Sequence, residues 1–287
     1  MILVTGATGR VGYRLMEALA DARADVTAMV RVEAKAADLP GNPGHVVATL
    51  DDPPPADTLR QFDRIFLLSP EVEEQVELER AFINAVAKAG HRPLIVKVCA
   101  DGFQDPDCEV RYMQAHRQIA YHLDSVELQV TYLAAATYLD DLLGEADEIR
   151  RTGEIRTSAG RGRTGFIATT DVALAAAHVL TTDGHEGKTY VLTGPEAFGY
   201  GHIASRYSAV FGQRVEHVDL PAARIRDLLL ERGRTPWQAD GDIERFRWIR
   251  DGNADTVTTT VREFTGSDPR PLDEWLADSR ATFTGPA

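Results

Sequence analysis

The chain opens with a short apolar run that leads directly into three closely spaced glycines, in the sequence MILVTGATGRVG. Residues 2–4 are a predicted strand, and a helical pattern begins within the glycine run. Glycine adopts positive φ without strain and lets the backbone approach a ligand closely, while the free N–H groups at the start of a helix attract phosphate. This unit predicts a turn that binds a pyrophosphate. The residues predicted to form it are Gly6, Thr8, Gly9, Arg10, Val11 and Gly12.

Short apolar runs recur through the first half of the chain, with helical patterns between several of them. The predicted strands are residues 2–4, 26–30, 46–48, 65–68, 94–98 and 128–134. Residues 11–22 and 74–89 carry apolar side chains at helical spacing. Strands that alternate with helices are typical of a parallel sheet covered on both faces. We therefore predict an α/β fold with a doubly wound parallel sheet of the Rossmann type.

The second half of the chain is less regular and predicts a smaller C-terminal α/β substrate lobe. Its predicted helices are residues 138–151, 171–180 and 200–211, and its predicted strands are residues 189–193 and 215–220. We place the domain boundary near residue 137, which gives a dinucleotide-binding domain at 1–137 and a lobe at 138–287. We expect the helix at 171–180 to pack back on the sheet.

Composition restricts the partners of the chain. Its 287 residues include 44 acidic and 31 basic side chains, and the resulting formal charge of −13 opposes binding to nucleic acid or to anionic membranes. No apolar run approaches the roughly 20 residues of a membrane span. The two cysteines, Cys99 and Cys108, lack CxxC spacing, and no charged leader precedes the first strand. We expect a cytoplasmic protein, monomeric or homodimeric, that acts on a small molecule.

The end of the second predicted strand bears on the choice of dinucleotide. A carboxylate at this point binds the ribose 2′-hydroxyl of NAD, whereas a cation suits the 2′-phosphate of NADP. Arg31 ends the strand nineteen residues after Gly12, and the nearest acid is Glu33. Arg10 is placed to add a second guanidinium. The sequence favours NADP(H), and the alternative is a solvated arginine at an NAD site.

Five segments carry a family resemblance: MILVTGATGRVG, VRVEAKAADL, LIVKVCADGF, RTGFIATTDVALAAAHVL and GKTYVLTGPEAFGYGHIASRYSAVFGQRV. Together they resemble the NmrA-like branch of the atypical short-chain dehydrogenase/reductase superfamily. The resemblance implies a Rossmann domain that binds NADP(H) and a smaller lobe that forms the substrate cleft. Members of that branch include reductases of quinones, triarylmethane dyes and biosynthetic intermediates, and also redox sensors without catalysis. The resemblance therefore implies fold and cofactor and leaves activity open.

The chain departs from the family pattern at three places. Leu133, Ala134 and Ala135 stand where relatives commonly have Leu-Arg-Pro, Ala120 stands where they have glutamate, and Cys99 stands where serine is frequent. The loss of a guanidinium, a carboxylate and a hydroxyl favours a less polar pocket. An apolar or aromatic substrate is therefore expected.

The resemblance also singles out the sequence YMQAH, which contains Tyr112 and His116. In short-chain reductases a tyrosine gives its proton to the substrate oxygen, and a lysine four residues later lowers the tyrosine pKa and holds the nicotinamide ribose. Spacing of four residues places both groups on one helical face, but here the lysine position holds histidine. Cys99 stands thirteen residues before Tyr112, near the usual place of the substrate-orienting serine. We name Tyr112, His116 and Cys99 as catalytic candidates, with Tyr138 and Lys97 as alternative proton donors.

The remaining candidates bind cofactor or substrate. We expect Leu68, Ser69 and Val98, at the ends of two predicted strands, to contact the cofactor. We expect the substrate site to include Tyr138, Trp237 and Trp248.

The sequence lacks the motifs typical of metal sites and of α/β-hydrolases. The histidines have no metal-ligand spacing, neither HExxH nor CxxC is present, and no GxSxG marks an α/β-hydrolase. We therefore expect no metal. Three functions remain: an NADPH-dependent reductase of an apolar carbonyl, quinone or imine; a non-catalytic redox sensor; or a cyclase or dehydratase on the same scaffold.

Overall fold

The computed structural model describes residues 1–284 and divides into two compact units. Unit 1 comprises residues 1–106, 112–134 and 169–191, and unit 2 comprises residues 107–111, 135–168 and the described residues from 192 onward. The domain boundary near residue 137 stays a prediction.

Within residues 1–284, nine strands form two sheets. The strands are β1 Ile2–Val4, β2 Val26–Val30, β3 Gly44–Val47, β4 Arg64–Leu67, β5 Leu94–Ala100, β6 Gln129–Ala135, β7 Glu154–Thr157, β8 Thr189–Leu192 and β9 Glu216–Asp219. Seven of them form one sheet in the order β3-β2-β1-β4-β5-β6-β8, and β7 pairs with β9 in parallel.

The seven-stranded sheet is parallel. β1 pairs in parallel with β2 and β4, β2 with β3, and β4 with β5. Between β6 and β8, the N–H groups of Tyr132 and Ala136 donate to the carbonyls of Lys188 and Leu192, so both strands advance in the same direction. The strand order reverses between β1 and β4, which is where open α/β sheets bind ligands. The predicted doubly wound parallel sheet is confirmed.

Twelve helices accompany these strands in residues 1–284. They are α1 Arg10–Asp21, α2 Ala56–Leu59, α3 Gln75–Lys88, α4 Arg111–Ser125, α5 Ala146–Thr152, α6 Thr169–Thr181, α7 Tyr200–Phe211, α8 Ala222–Glu231, α9 Pro236–Arg250, α10 Thr260–Thr265, α11 Leu272–Asp278 and α12 Arg280–Thr284. None of the described helices has the length and apolar character needed to cross a membrane.

One predicted helix differs from the structure. Residues 138–151 were expected to form one helix, but Leu139–Glu145 is a 3-10 helix and α5 begins only at Ala146. Tyr138 is extended and forms an isolated parallel bridge with Ile167, so the chain ahead of the 3-10 helix is held by a strand-like contact. Gly144 also lowers the helix propensity of this stretch.

Unit 1 buries one stripe of α1 and packs α6 against that helix. Val11, Leu15 and Leu19 of α1 are at most 4% exposed, and their spacing matches one helical face. α6 packs on α1 and carries several buried alanines, whose small side chains permit close approach of two helices.

Unit 2 has its own aromatic core. Phe166 stacks on Phe198 at a centroid distance of 5.2 Å and meets Tyr200 edge to face at 5.3 Å.

Helix α9 begins with a capping box, in which the side chains of Thr235 and Gln238 each accept a hydrogen bond from the other residue's backbone N–H. Reciprocal capping of this kind fixes where the helix starts.

Candidate active site

The glycine turn, residues 6–12, connects β1 to α1 and depends on two of its glycines. Gly6 has φ of +62°, a left-handed conformation that other residues adopt with strain. A Cβ on Gly12 would lie 2.0 Å from the carbonyl oxygen of Gly6, so no side chain fits there. The Gly9 N–H donates to the Gly6 carbonyl at 2.9 Å. These contacts hold the start of α1 directly against the end of β1.

The N-terminus of α1 is open toward an anion. Gly9 is its N-cap, no side chain in the described chain caps the helix, and its first turn contains no acidic residue. Gly6, Thr8 and Arg10 are exposed on this turn, whereas the Val11 side chain is buried. Uncapped N–H groups and the positive end of a 12-residue helix fit a phosphate.

Arg31 lies exposed immediately after β2, next to β1 in the sheet. Across residues 1–284 it forms neither a hydrogen bond nor an ion pair. Glu33, the nearest acid in sequence, lies 3.9 Å from the ring nitrogen of His45. An unpaired guanidinium at this strand end fits a ribose 2′-phosphate.

The end of β4 is held to the glycine turn. The Thr5 hydroxyl accepts a hydrogen bond from the Leu68 N–H at 2.9 Å and lies 3.1 Å from the Leu68 carbonyl. Ser69, the next residue, is buried, and its hydroxyl donates to Glu79 Oε1 at 2.5 Å. Val98 is also buried, and its carbonyl accepts from the Lys97 ammonium at 2.6 Å. The polar groups of Ser69 and Val98 are therefore engaged inside unit 1.

Helix α4 places Tyr112 and His116 one turn apart, and both side chains are buried. Burial, together with the positive charge of Lys97, holds the pKa of His116 well below its ordinary value. Its Nδ1 atom has no hydrogen-bond partner among residues 1–284. His116 is therefore a neutral ring and does not reproduce the charge of a lysine ammonium.

Cys99 lies on β5, and Lys97 precedes it by two residues on the same face of the strand. Burial raises the pKa of the Cys99 thiol to about 12, an effect partly offset by the Lys97 charge. Cys99 therefore stays protonated and is available only as a weak hydrogen-bond donor.

The predicted substrate residues all lie in unit 2. Tyr138 is half-buried at its bridge with Ile167. Trp237 and Trp248 are eleven residues apart on α9, which places them on the same side of the helix. The Arg111 guanidinium carbon lies 5.9 Å from the centre of the Trp237 ring.

A cavity of about 360 Å³ in unit 2 contains one of these residues, Trp248. Its other lining residues are Asp107, Glu109, Val110, Glu244, Arg247, Asp251 and Asn253. Glu109 pairs with Arg247 at 2.5 Å, and Glu244 pairs with Arg111 at 2.7 Å. Trp237 and Tyr138 do not line this cavity. Within residues 1–284, no group of three or more His, Cys, Asp or Glu side chains could hold a metal ion.

Comparison with known proteins identifies the family of this chain. A family model described as NAD(P)H-binding matches residues 6–183, which is more than half of the chain and includes the whole glycine turn. The chain belongs to this NAD(P)H-binding family.

Two named relatives and one solved structure match most of the length of this chain. NAD(P)H azoreductase of Xenophilus azovorans is 28% identical over 287 residues, covering 99% of both chains. Quinone oxidoreductase 2 of Escherichia coli is 29% identical over 259 residues, covering 85% of this chain and 87% of the relative. The crystal structure of the Escherichia coli NADPH-dependent quinone oxidoreductase in complex with NADPH superposes with a TM-score of 0.87 at 25% identity, covering 97% and 99% of the two chains.

These matches confirm the predicted membership of the NmrA-like, atypical short-chain dehydrogenase/reductase group and its Rossmann fold. The relatives named above are NAD(P)H-dependent oxidoreductases, and the family model itself describes NAD(P)H binding. The individual catalytic, cofactor-binding and substrate residues stay predictions.

Sequence reasoning missed Gln75 and Glu79 of α3. Both are fully buried, and they surround Ser69 together with Lys97. The available signals were a lysine inside the apolar strand LIVKV and two polar residues four apart on the apolar stripe of α3. A buried cation needs a buried anion, and Glu79 is that anion.

Proposed function

We propose that this protein uses NADPH to reduce a small apolar or aromatic acceptor, such as a quinone, a carbonyl compound or an imine. The observation that carries the proposal is the uncapped N-terminus of α1 above a turn in which Gly12 admits no side chain. Two relatives that match this chain over all or most of its length, named NAD(P)H azoreductase and quinone oxidoreductase 2, support reduction of an aromatic acceptor.

The cofactor is proposed to be held from two sides of β1. Backbone N–H groups of Arg10 to Gly12 would bind the pyrophosphate, and Arg31 would bind the 2′-phosphate and so select NADPH over NADH. Bound NADPH supplies the hydride. Arg10 is exposed at the N-terminus of α1, where a second guanidinium would strengthen the attraction for phosphate.

The apolar character of the acceptor follows from the residues that replace polar family positions in unit 1. Cys99, Ala120 and Ala134 are buried and carry no charge. A charged or strongly hydrated substrate would lose its hydration beside such residues without gaining partners. A quinone or an aromatic carbonyl compound is less strongly hydrated and therefore loses less hydration free energy on binding.

Tyr112 is the proposed proton donor. Hydride arrives at the carbon of the acceptor, and the Tyr112 hydroxyl gives its proton to the acceptor oxygen, or to the nitrogen of an imine. Tyr112 regains a proton from water that enters once the product has left. Neutral His116, one helical turn away, is proposed to hydrogen-bond rather than to carry charge. Proton transfer is therefore expected to be slower than with a lysine at this position.

A second candidate is a redox sensor that binds NADPH without turnover. The neutral state of His116 favours it, because the charge that ordinarily assists the tyrosine is absent from position 116.

NADPH oxidation measured against a panel of quinones, aromatic ketones, imines and azo compounds separates the two candidates. Turnover of one acceptor class supports the reductase. Tight NADPH binding without turnover of any acceptor would refute it in favour of the sensor.

We also propose a cytoplasmic location and a monomeric or homodimeric state. Within residues 1–284 both cysteines are buried and neither forms a disulfide, as suits a reducing compartment. Light scattering coupled to gel filtration measures the state, and a larger assembly would contradict it.

A further inference from the structure

A buried polar cluster lies beside the carboxyl end of β4 in unit 1. Its members are Ser69, Gln75, Glu79 and Lys97, which are all buried, and the side chains of Glu79 and Lys97 are 0% exposed. Lys97 donates to Glu79 Oε1 at 3.0 Å, and Ser69 donates to the same oxygen at 2.5 Å. Gln75 donates to the Ser69 hydroxyl at 3.2 Å. Ser69 is thus bonded directly to α3 and is linked through Glu79 to Lys97 of β5.

The chain just before Ser69 is tied to β1 as well. Thr5 accepts from the Leu68 N–H, and the Leu68 carbonyl lies 3.0 Å from where a Cβ on Gly6 would be. Leu67 pairs in register with Lys97, so residues 68 and 69 leave the sheet between Thr5 on one side and Lys97 on the other. Two sets of hydrogen bonds therefore fix the short segment Leu68–Ser69 at the point where the strand order reverses.

Stability alone does not account for the cluster. Oε1 of Gln75 and Oε2 of Glu79 are buried without a hydrogen-bond partner in the described chain. An unpartnered buried oxygen is unfavourable, and apolar residues of the same volume are often as stabilising as a buried ion pair or more so. A role in placing Ser69 does account for these residues.

We propose that Glu79 and Lys97 are positioning residues that hold the Leu68–Ser69 segment where it contacts the nicotinamide half of the bound dinucleotide. The order of the strands in the sheet indicates that this segment faces the nicotinamide half of the cofactor. Arg31 and β2 lie on one side of β1, and β4 and β5 lie on the other. Because the glycine turn after β1 holds the pyrophosphate, an adenosine half at Arg31 leaves the nicotinamide half on the side of β4 and β5.

The inference rests on the proposed binding of NADPH, and the experiment separates the two. Dissociation constants of NADPH and of adenosine 2′,5′-bisphosphate are measured by calorimetry. The bisphosphate has the phosphates that Arg31 and the glycine turn would bind but lacks the nicotinamide half. A wild-type protein that binds neither ligand would refute NADPH binding itself.

The first variant is the double substitution Glu79→Gln/Lys97→Met, which removes both charges and leaves neither one alone. We expect it to bind NADPH about tenfold more weakly, as for the loss of roughly one hydrogen bond, and to bind the bisphosphate like the wild type. Equal affinities of variant and wild type for NADPH, or equal losses for both ligands, would overturn the inference.

Ser69→Ala provides a second test if the double variant does not fold, because it leaves the Lys97–Glu79 pair intact. We expect the same selective loss for NADPH, and restoration in Ser69→Thr, which keeps the hydroxyl. The matched control is Arg64→Met at the opposite end of β4, where Arg64 pairs with Asp183 and caps α6 at the Val179 carbonyl. It should lower the unfolding temperature without changing either dissociation constant. A selective loss for NADPH in this control would also overturn the inference.

Discussion

Arg31 and Tyr112 differ in their surroundings although both are proposed to act in one reaction. Arg31 is exposed and has no partner in residues 1–284, so a ligand is the only anion proposed to pair with it. Tyr112 is 1% exposed and belongs to the packed face of α4. Substitution of Arg31 is therefore expected to affect ligand binding alone. Because Tyr112 is packed, a test of its hydroxyl has to keep the aromatic ring.

We predict that Arg31→Ala weakens NADPH binding by about 1.5 to 3 kcal/mol, the range for a hydrogen bond to a charged group. NADH binding should change little, because NADH lacks the 2′-phosphate. Dissociation constants for both dinucleotides provide the measurement, with the exposed Arg80→Ala as the control. Equal losses for the two dinucleotides would exclude Arg31 as the 2′-phosphate ligand.

We predict that Tyr112→Phe abolishes turnover and leaves the NADPH dissociation constant within about twofold of the wild type, since only the hydroxyl that moves the proton is lost. Steady-state rates and calorimetry provide the two readouts. Unchanged turnover would place the donor at another residue.

At the scale of elements, the junction of β1 and α1 combines a conformational and a steric requirement. Gly6 supplies the left-handed turn, and Gly12 lets the first turn of the helix lie against the Gly6 carbonyl. The helix can therefore direct its free N–H groups at a phosphate while its Val11 and Leu15 side chains stay buried.

We predict that Gly12→Ala lowers the free energy of unfolding by about 1 to 3 kcal/mol, as for an overpacked core, and weakens NADPH binding. The added Cβ would lie 2.0 Å from the Gly6 oxygen, so α1 has to shift. The control is Gly201→Ala in α7, where no atom lies within 4 Å of the new Cβ. Its effect should be neutral or stabilising by up to about 1 kcal/mol. Unaltered NADPH binding by Gly12→Ala would contradict the role of the turn.

Across the molecule, stability is expected to depend on pH through histidines that are buried or partly buried. Burial holds the pKa of His116 well below its ordinary value, and burial lowers the pKa values of His122, His185 and His217 as well. The unfolded chain takes up these protons near the ordinary histidine pKa, about 6.5, while the folded chain takes them up only at lower pH. Stability is therefore present above that pH and falls as pH decreases below it.

We predict that the free energy of unfolding falls between pH 7 and pH 5, with a contribution to the slope from the fully buried His116 of up to about 1.4 kcal/mol per pH unit. His116→Gln should reduce that slope, because glutamine takes up no proton. Urea unfolding at a series of pH values measures it. A slope unchanged by His116→Gln would show that His116 does not contribute.

Much of the fold could be predicted because its signals are local. The glycines, the apolar strands and the helical spacing each occupy a few consecutive residues, and α7 has the predicted bounds at Tyr200 and Phe211. The interrupted helix at 138–151 could not be predicted in the same way. Its start depends on a bridge between Tyr138 and Ile167, which are 29 positions apart.

The parallel sheet, the glycine turn and the cationic residue after β2 could be predicted from the amino-acid sequence, because strand, turn and helix patterns lie in neighbouring residues. The charge states around Tyr112 and the polar cluster at Ser69 could be known only from the folded structure. The neutral state of His116 depends on burial and on Lys97 of another element. In the sequence, Glu79 is indistinguishable from the other polar residues of an amphipathic helix. In the folded chain, packing of α3 against β5 makes it the buried partner of Lys97. Desolvation and pairing arise between residues distant in the chain, and those interactions exist only once the chain has folded.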